Sequence, residues 1–448
     1  MTSSNDTFTV NDTLTVRARS AMRGLLALGS LALGLAASAR GDQYTAGLSV
    51  YSEHAVASTI ATPLANGGHA TFDGQSIVVH DATGAVVQTT LILPTFTFPS
   101  FLGLQPDGVT LLLGESTNGN IYEYTLPSGP LTLLANAAFN YDACVSPDGA
   151  FAVVSAATCG FGCGNTLLKV DLATGTSSVL GVVSGPSGPV AFDLNGDLYY
   201  GLQSPLFPAP PGSFSLVRWS ATLLVSGAFL SEANAQIVVP ALDGCADVVV
   251  DPRSRDLVVV EAVFGGTSTV RLHRGDGLLK AILASSTDYL GGVGIANTTS
   301  GQGAFQPWAP TGSRYTYSAT DFVASRLVVL APVRPQLSAA GPGLSGPGQV
   351  NFSIAGGAPL GRALLVACTQ ANWSPTPTIV DLPLHQLHSG LPFGSGQVRR
   401  GGIVLLDAAG SGSRVFGNPG ATAPGFVLQA VLIDGQNQVV GGSNEFPW

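Results

Sequence analysis

The chain has 448 residues, of which 45% are hydrophobic and only 10% are charged, and it contains 57 Gly and 29 Pro. This composition excludes extended disorder and predicts a turn-rich globular protein that is long enough for two domains with buried cores. A net charge of −9 and the lack of any Lys/Arg-rich run exclude a nucleic-acid binder, because such proteins need a basic surface to displace counterions.

Residues 1–39 have the features of a signal peptide. Three basic residues precede an apolar run: Arg17, Arg19 and Arg23. The run, Gly24 to Ala37, has about 14 residues, fewer than the roughly 20 that a membrane-spanning helix needs, and small residues up to Ala39 suit signal peptidase. We therefore expect cleavage after Ala39, secretion or a place at the cell surface or in the periplasm, and no transmembrane segment in the mature chain. Translation can start at Met1 or at Met22.

Two kinds of turn alternate between residues 40 and 332. The first kind follows the first apolar run of each unit, and its copies are QPDG (105–108), SPDG (146–149), LNGD (194–197) and DPRSRD (251–256). The second kind ends at a glycine, in HDATG, TLPSG, DLATG and HRGDG, and its first three copies lie 45 and 46 residues apart. Pro, Asp and Gly in these positions favour tight hairpins between short strands.

A four-stranded repeat of about 45 residues is typical of a propeller blade, because one small twisted sheet must stack on its neighbours to cover its faces. We predict an all-β protein with a propeller of about six blades over residues 40–332. In this prediction the segment HATFDGQSIVVHDATG (69–84) closes the ring by sharing a blade with SRLVVLAP (325–332).

Parts of the repeat resemble known propeller families. CVSPDGAFAVV (144–154) and NTLLKVDLATGTSSVL (165–180) resemble blades of YVTN-type and lactonase-like propellers of secreted bacterial proteins, and FDLNGDLYYGLQ (192–203) resembles sugar-lactonase and streptogramin-lyase propellers. The resemblance covers roughly residues 45 to 332 and implies the propeller fold. VVSA (153–156) replaces the usual end of the YVTN strand and no WD dipeptide is present, so the resemblance leaves the ligand open.

The composition changes after residue 332. Residues 333–349 are rich in Pro, Gly and Ser and are typical of a linker. Short strand-like runs follow in residues 350–448, and strands of this length and spacing predict a β-sandwich. This region resembles C-terminal all-β modules of secreted bacterial proteins, and the resemblance implies a role in attachment or export.

Five cysteines suit an exported protein. Cys159 and Cys163 flank Gly-Phe-Gly between the second and third strands of one blade, where flexible glycines let the two sulfurs meet in a disulfide. Two free thiols or a metal site are the alternatives. Cys144 and Cys245 are predicted to be core residues on inner strands, and Cys368 a core residue of the sandwich.

Histidine gives little sign of a metal site. His385 and His388 form the one closely spaced pair, and without a stronger ligand pattern we interpret them as part of a solvated loop. His80 and His273 occupy matching positions just before the second kind of turn, which favours a structural role in the repeat. The sequence predicts no metal and no cofactor.

Acidic residues recur where the second strand of a blade ends. Glu115 and Glu261 each lie nine positions after the proline of the preceding turn, and Gln203 holds the similar place in another blade. Such groups can converge at the mouth of the propeller channel, where they can act in catalysis or bind a hard cation such as Ca²⁺. The alternative is that each caps its own loop.

Two functional classes follow. We favour a secreted, monomeric, non-catalytic binding or scaffold protein that engages a protein or carbohydrate at its propeller face on the cell surface, because GxSxG, Walker and dinucleotide motifs are absent. The alternative is a hydrolase or lyase of the lactonase type, with Glu115 and Glu261 as its catalytic carboxylates.

Overall fold

The computed structural model describes residues 42–44, 48–158, 164–206, 208–252, 255–296, 314–332, 336–341, 348–355, 361–369, 398–407, 411–418, 426–433, 439–442 and 446–447. The expected signal peptide, the candidate disulfide of Cys159 and Cys163, and the pair His385 and His388 lie outside these residues. Among the described residues no helix is long and apolar enough to cross a membrane.

Two N-terminal strands, β1 (Gln43–Tyr44) and β2 (Leu48–Val56), precede five antiparallel sheets, of which four have four strands and the fifth gains β1 as a fifth strand. The first blade is β3 (Ala61–Pro63), β4 (His69–Phe72), β5 (Ser76–His80) and β6 (Val86–Leu91). The second is β7 (Pro99–Leu104), β8 (Thr110–Glu115), β9 (Asn120–Thr125) and β10 (Leu131–Asn136). The third is β11 (Asn140–Val145), β12 (Phe151–Ala157), β13 (Asn165–Asp171) and β14 (Ser177–Val183).

The fourth blade is β15 (Val190–Phe192), β16 (Leu198–Leu202), β17 (Phe214–Trp219) and β18 (Gln236–Leu242), with helix α1 (Ala221–Val225) and a 3₁₀ turn (Glu232–Asn234) between its last two strands. The fifth is β19 (Asp247–Val250), β20 (Leu257–Glu261), β21 (Ser268–His273) and β22 (Leu279–Ser286), and β1 pairs with its outer strand β22. Six sheets in succession, counting the closing one described next, confirm the predicted all-β propeller fold.

The closing blade joins the two ends of this region. It comprises β23 (Tyr289–Ala296), β24 (Arg314–Thr320) and β25 (Ser325–Pro332), and β2 pairs with β25 as its outermost strand. The predicted sharing of a blade between residues 69–84 and 325–332 is therefore wrong, since β4 and β5 belong to the first blade. The pairing strand β2 carries none of the flanking turn motifs by which the other strands are recognised.

Antiparallel order assigns every connection to one of two faces of the propeller. Turns between the first and second strands and between the third and fourth strands lie on one face, which we call the turn face. Connections between the second and third strands, and from one blade to the next, lie on the other, which we call the loop face. All the recurrent Pro-Asp-Gly and glycine-terminated turns are on the turn face.

Apolar clusters fill the interfaces between successive blades. Five clusters each draw residues from two neighbouring blades, from the first and second blades around to the fifth and closing blades. This packing arises because successive side chains of a strand point to opposite faces of its sheet, one toward the preceding blade and the next toward the following blade. On β4, for example, Ala70 and Phe72 are fully buried against the second blade.

Two more sheets follow the propeller. One contains β26 (Gln336–Ala340), β27 (Gly348–Ala355) and β30 (Gly412–Asn418). The other contains β28 (Arg362–Thr369), β29 (Val398–Leu405), β31 (Phe426–Ile433), β32 (Val439–Gly442) and β33 (Phe446–Pro447). Residues from both sheets form one apolar cluster that includes Phe352 and Leu365. The sandwich and the domain boundaries stay predictions.

Candidate functional site at the channel mouth

A pocket of about 230 Å³ lies where inner strands of the propeller meet. Five of the six blades line it, and the polar side chains of its lining are Thr59, Ser100, Tyr141, Asp142, Asp247 and Tyr289. These residues lie at the beginnings of inner strands or just before them, and inner strands begin at the loop face. The pocket is therefore the loop-face mouth of the central channel.

Two aspartates hold equivalent places in this pocket. The carboxylate of Asp142 accepts the N–H of the next residue at 2.8 Å and the N–H of Val190 on the fourth blade at 2.8 Å. Asp247 accepts the N–H of its next residue at 2.7 Å and that of Val293 on the closing blade at 2.6 Å. Each carboxyl group thus ties its own inner strand to the inner strand of the following blade.

The environment of both aspartates favours the protonated form. Burial raises the pKa of Asp142 to about 7, against the opposing effect of its two backbone hydrogen bonds. Burial, together with the nearby charge of Asp142, raises the pKa of Asp247 well above its usual range. Because one negative charge in a partly dehydrated channel disfavours a second, the pair carries a proton at neutral pH.

The raised pKa of Asp142 predicts a pH-dependent stability. The folded state binds more protons than the unfolded state between about pH 4 and pH 7, so the free energy of unfolding should fall as pH rises through this window, by at most about 1.4 kcal/mol per pH unit. Urea unfolding at pH 6 and pH 8 should show a smaller pH dependence in Asp142→Asn than in the wild type. Asp148→Asn, in an exposed turn where hydrogen bonds lower the carboxyl pKa, is the control and should match the wild type. Equal pH dependence in wild type and Asp142→Asn would contradict the assignment.

The structure places the two glutamates expected at the channel at the ends of second strands. Glu115 is fully buried at the end of β8 and accepts two backbone N–H groups of the following loop, at 3.0 and 3.1 Å. Glu261, at the end of β20, accepts the Thr269 hydroxyl at 3.1 Å and pairs with Arg271 at 2.6 Å. Neither lines the pocket, and no contact joins the two among the described residues. Glu115 therefore caps the loop that follows it, whereas Glu261 binds side chains of the adjacent strand β21.

Gln203, Cys144 and Cys245 also serve packing, and Cys245 lies just before the inner strand β19 and not on it as predicted. The Gln203 amide donates to the carbonyl oxygens of Gly201 at 3.0 Å and Cys245 at 2.7 Å. Cys144 and Cys245 are free thiols, Cys245 is buried, and burial raises the pKa of both. Neither thiol is therefore poised as a nucleophile.

Exposed aromatic residues lie on the same face of the propeller as the pocket. We call them the aromatic face: Phe96, Phe98, Phe139, Phe264 and Phe322. All five lie in connections between blades or between second and third strands. The ring of Phe322 stands 5.6 Å from that of Phe264 and 5.7 Å from that of Tyr289, which itself lines the pocket. Tyr289 therefore connects the pocket with Phe322 and Phe264 of the aromatic face.

Sequence reasoning missed the two channel aspartates although a signal was present. Asp142 and Asp247 each lie five positions before the proline of the first turn of their blade, Pro147 and Pro252. A carboxylate that recurs at the start of an otherwise apolar inner strand needs hydrogen-bond donors, and these can come only from groups in the channel or from the next blade. That rule would have selected both residues.

No family model and no curated protein sequence matches the chain. Among solved structures, a gluconolactonase from Xanthomonas campestris is similar, with 12% identity, a TM-score of 0.43, and coverage of 61% of this chain and 86% of the other. Regucalcin, a calcium-binding protein from Agrobacterium tumefaciens, is similar with 12% identity, a TM-score of 0.42, and coverage of 62% of this chain and 95% of the other. The PQQ domain of pyranose dehydrogenase from Coprinopsis cinerea is similar with 8% identity, a TM-score of 0.46, and coverage of 64% of this chain and 97% of the other. Similarities this low decide nothing about function.

Proposed function

We propose that the protein is an exported, monomeric, non-catalytic binding propeller whose loop face engages a protein or carbohydrate ligand at the cell surface. The observation that carries this proposal is the continuity of the aromatic face with the channel pocket through Tyr289. Export rests on the signal sequence, and N-terminal sequencing of the mature protein, expected to start near Arg40, tests it.

The aromatic face has the character of a binding surface. Phe264 is 81% exposed and Phe322 is 60% exposed, so a partner that covers these two rings would bury a large apolar area. Contiguous apolar patches on soluble proteins mark interaction sites, and aromatic side chains are enriched at the centres of interfaces. Because the loops that carry these rings are anchored on rigid blades, the surface is preorganised for a partner.

The pocket supplies the polar part of the same surface. Its volume of about 230 Å³ is below the range of roughly 300–1,000 Å³ that is usual for pockets that enclose a drug-sized ligand. It therefore suits one projecting group of a larger ligand, such as a sugar ring or a side chain. The carboxyl groups and the tyrosine hydroxyls offer hydrogen bonds to such a group.

One observation favours a hydrolase or lyase as the second candidate. Asp142 and Asp247 share a site in which a proton is held near neutral pH, and a carboxylic acid beside a carboxylate can act as general acid and base. These two residues would then replace Glu115 and Glu261 as the catalytic pair. Turnover of lactones or esters that is lost in Asp142→Asn would support this second candidate.

Substitutions on the loop face should weaken ligand binding. We expect the double variant Phe264→Ser/Phe322→Ser to bind its ligand at least about tenfold more weakly than the wild type, because removing buried aromatic anchors costs more than 1.4 kcal/mol. The measurement uses immobilised protein and separate polysaccharide and protein fractions from the envelope of the producing cell. Val225→Ser is the matched control, since Val225 is 89% exposed in α1 on the turn face. Equal binding by the two variants would contradict the proposal.

A further inference from the structure

Three histidines come together where the propeller ring closes. His54 lies on β2 in the closing blade, and His69 and His80 lie on β4 and β5 in the first blade. One nitrogen atom from each can be chosen so that all three lie within 4.8 Å of one another. The Nε2 atoms of His54 and His69 are 2.5 Å apart. The cluster therefore spans the junction between the last blade and the first.

This junction differs from the others in its chemistry. Apolar clusters connect the five other pairs of neighbouring blades, whereas none connects the closing blade with the first blade among the described residues. On β4, Ala70 and Phe72 face the second blade, so alternation turns His69 and Thr71 toward the closing blade. Polar groups therefore occupy the place that apolar packing holds elsewhere.

The ring nitrogens of the cluster are incompletely satisfied by protein groups. Nδ1 of His80 lies 3.1 Å from the carbonyl oxygen of Gly84, and donating a proton there leaves Nε2 of His80 with a free lone pair. The short contact between His54 and His69 can hold one proton, so one of the two nitrogens donates and the other accepts. Nδ1 of His54 is buried without a hydrogen-bond partner.

The surroundings of His54 and His69 also favour the neutral form of these two imidazoles. Burial, and then the neighbouring His80, lowers the pKa of His54 to about 4. Burial, followed by the two other histidines, lowers the pKa of His69 to about 3. Neutral imidazole is the form that binds metals, and the nitrogen that binds is the one without a proton, so the proton shared by His54 and His69 moves to another ring nitrogen when both bind.

We propose that His54, His69 and His80 bind one divalent transition-metal ion of the Zn²⁺ type, which latches β2 onto the first blade and so closes the ring. Imidazole ligands select ions of this class over Ca²⁺ and Mg²⁺. Zn–N bonds of about 2.0–2.1 Å place tetrahedral ligand atoms roughly 3.4 Å apart. To reach this spacing, the Nε2 atoms of His54 and His69 move apart from 2.5 Å, and the widest separation among the three ligand nitrogens shortens from 4.8 Å. Side-chain rotations that move each nitrogen by about 1 Å are sufficient for both changes. The fourth coordination position is left to water.

The chain contains its own structural control for this site. His273 on the fifth blade is the repeat equivalent of His80, and its Nδ1 lies 2.9 Å from the carbonyl oxygen of Gly277. Among the described residues, however, His54, His69 and His80 form the one group of potential metal ligands, and His273 is not part of it. The bond from histidine to the turn glycine is thus a feature of the repeat, and the two added histidines distinguish the ring closure.

Titration of metal-stripped protein with ZnCl₂ by isothermal calorimetry tests the site. We expect one Zn²⁺ per chain in the wild type and in His273→Ala, and at least about tenfold weaker binding in His54→Ala, since each ligand contributes more than 1.4 kcal/mol. Zn²⁺ should also raise the melting temperature of the wild type by about 2 °C or more at saturating concentration, and that of His54→Ala by less.

Two further variants keep the test decisive. His54→Gln replaces a half-buried ring with a smaller polar side chain, and circular dichroism establishes that each variant is folded before titration. His385→Ala/His388→Ala removes the other closely spaced histidines and should leave Zn²⁺ binding unchanged. The proposal is overturned if the wild type binds no Zn²⁺, if folded His54 variants bind it as tightly, or if binding depends on His385 and His388.

Discussion

Replacing Arg326 with Ala is expected to lower the free energy of unfolding by about 3–5 kcal/mol, because this removes one partner from a buried ion-pair network. Arg326 lies on β25 and is 4% exposed. Its guanidinium is 2.7 Å from Asp42, 3.0 Å from Asp288 and 3.3 Å from Glu53. Asp42 precedes β1 and Glu53 lies on β2, so the substitution weakens the attachment of the N-terminal strands that close the ring.

The same network predicts sensitivity to acid. Burial alone would raise the pKa of Asp42, but hydrogen bonds from Arg326 and Ser286 outweigh it, and the pKa is lowered. The contribution of Asp42 to the free energy of unfolding is therefore fully present above about pH 4, the usual pKa of an aspartate. It is lost as the pH falls through the lower pKa that Asp42 has in the folded protein.

Urea unfolding at pH 7 measures the effect of Arg326→Ala. The control is Arg274→Ala, because Arg274 pairs with Asp276 in an exposed turn where both side chains are about half accessible. Exposed pairs of this kind contribute about 0–1 kcal/mol. If the two variants lost the same stability, the buried network would not be holding the N-terminal strands.

Replacing Gly175 with Ala should cost about 2–5 kcal/mol. Gly175 ends the second turn of the third blade with a φ of +71°, where a side chain costs about 1–2 kcal/mol. An added Cβ would also lie 2.1 Å from the carbonyl oxygen of Leu134 on β10 of the second blade. Relieving such an overlap typically costs about 1–3 kcal/mol more, because the two blades must separate locally.

Gly149→Ala is the matched control for that prediction. Gly149 ends the first turn of the same blade with a φ of +70°, and no atom lies within 4 Å of the position its Cβ would take. Its substitution should cost only the conformational penalty of about 1–2 kcal/mol. Thermal unfolding of both variants compares the two positions, and an equal loss would show that the turn of Gly175 does not press on the neighbouring blade.

The repeat could be predicted from the sequence because its signals are local. In SPDG (146–149), the Asp148 carboxylate accepts the N–H of Ala150 at 3.1 Å and the hydroxyl of Ser146 at 2.6 Å, within one turn. The DLATG turn has the same kind of bond from Thr174 to Asp171. Contacts between residues a few positions apart leave a visible pattern in the chain.

The closure of the ring and the partners of the candidate-site residues could not be predicted, because they depend on contacts between distant parts of the chain. The carboxylate of Asp142 accepts a hydrogen bond from Val190, 48 positions away in the next blade. Its place five positions before a turn proline marks Asp142 in the sequence, but it does not reveal this partner. His54, His69 and His80 follow no ligand motif, because three strands in two sheets bring them together. The regular spacing of Glu115 and Glu261 correctly placed them at the ends of second strands, but neither lines the pocket.

Photo-crosslinking on the loop face tests the central claim most directly. Benzoylphenylalanine at position 322, in the aromatic face, is compared with the same group at position 225 on the turn face, with both proteins displayed on the producing cell. We predict a discrete cross-linked protein or glycan at position 322 that is missing at position 225. Identical products at the two positions, or no product at position 322, would contradict a binding role for the loop face.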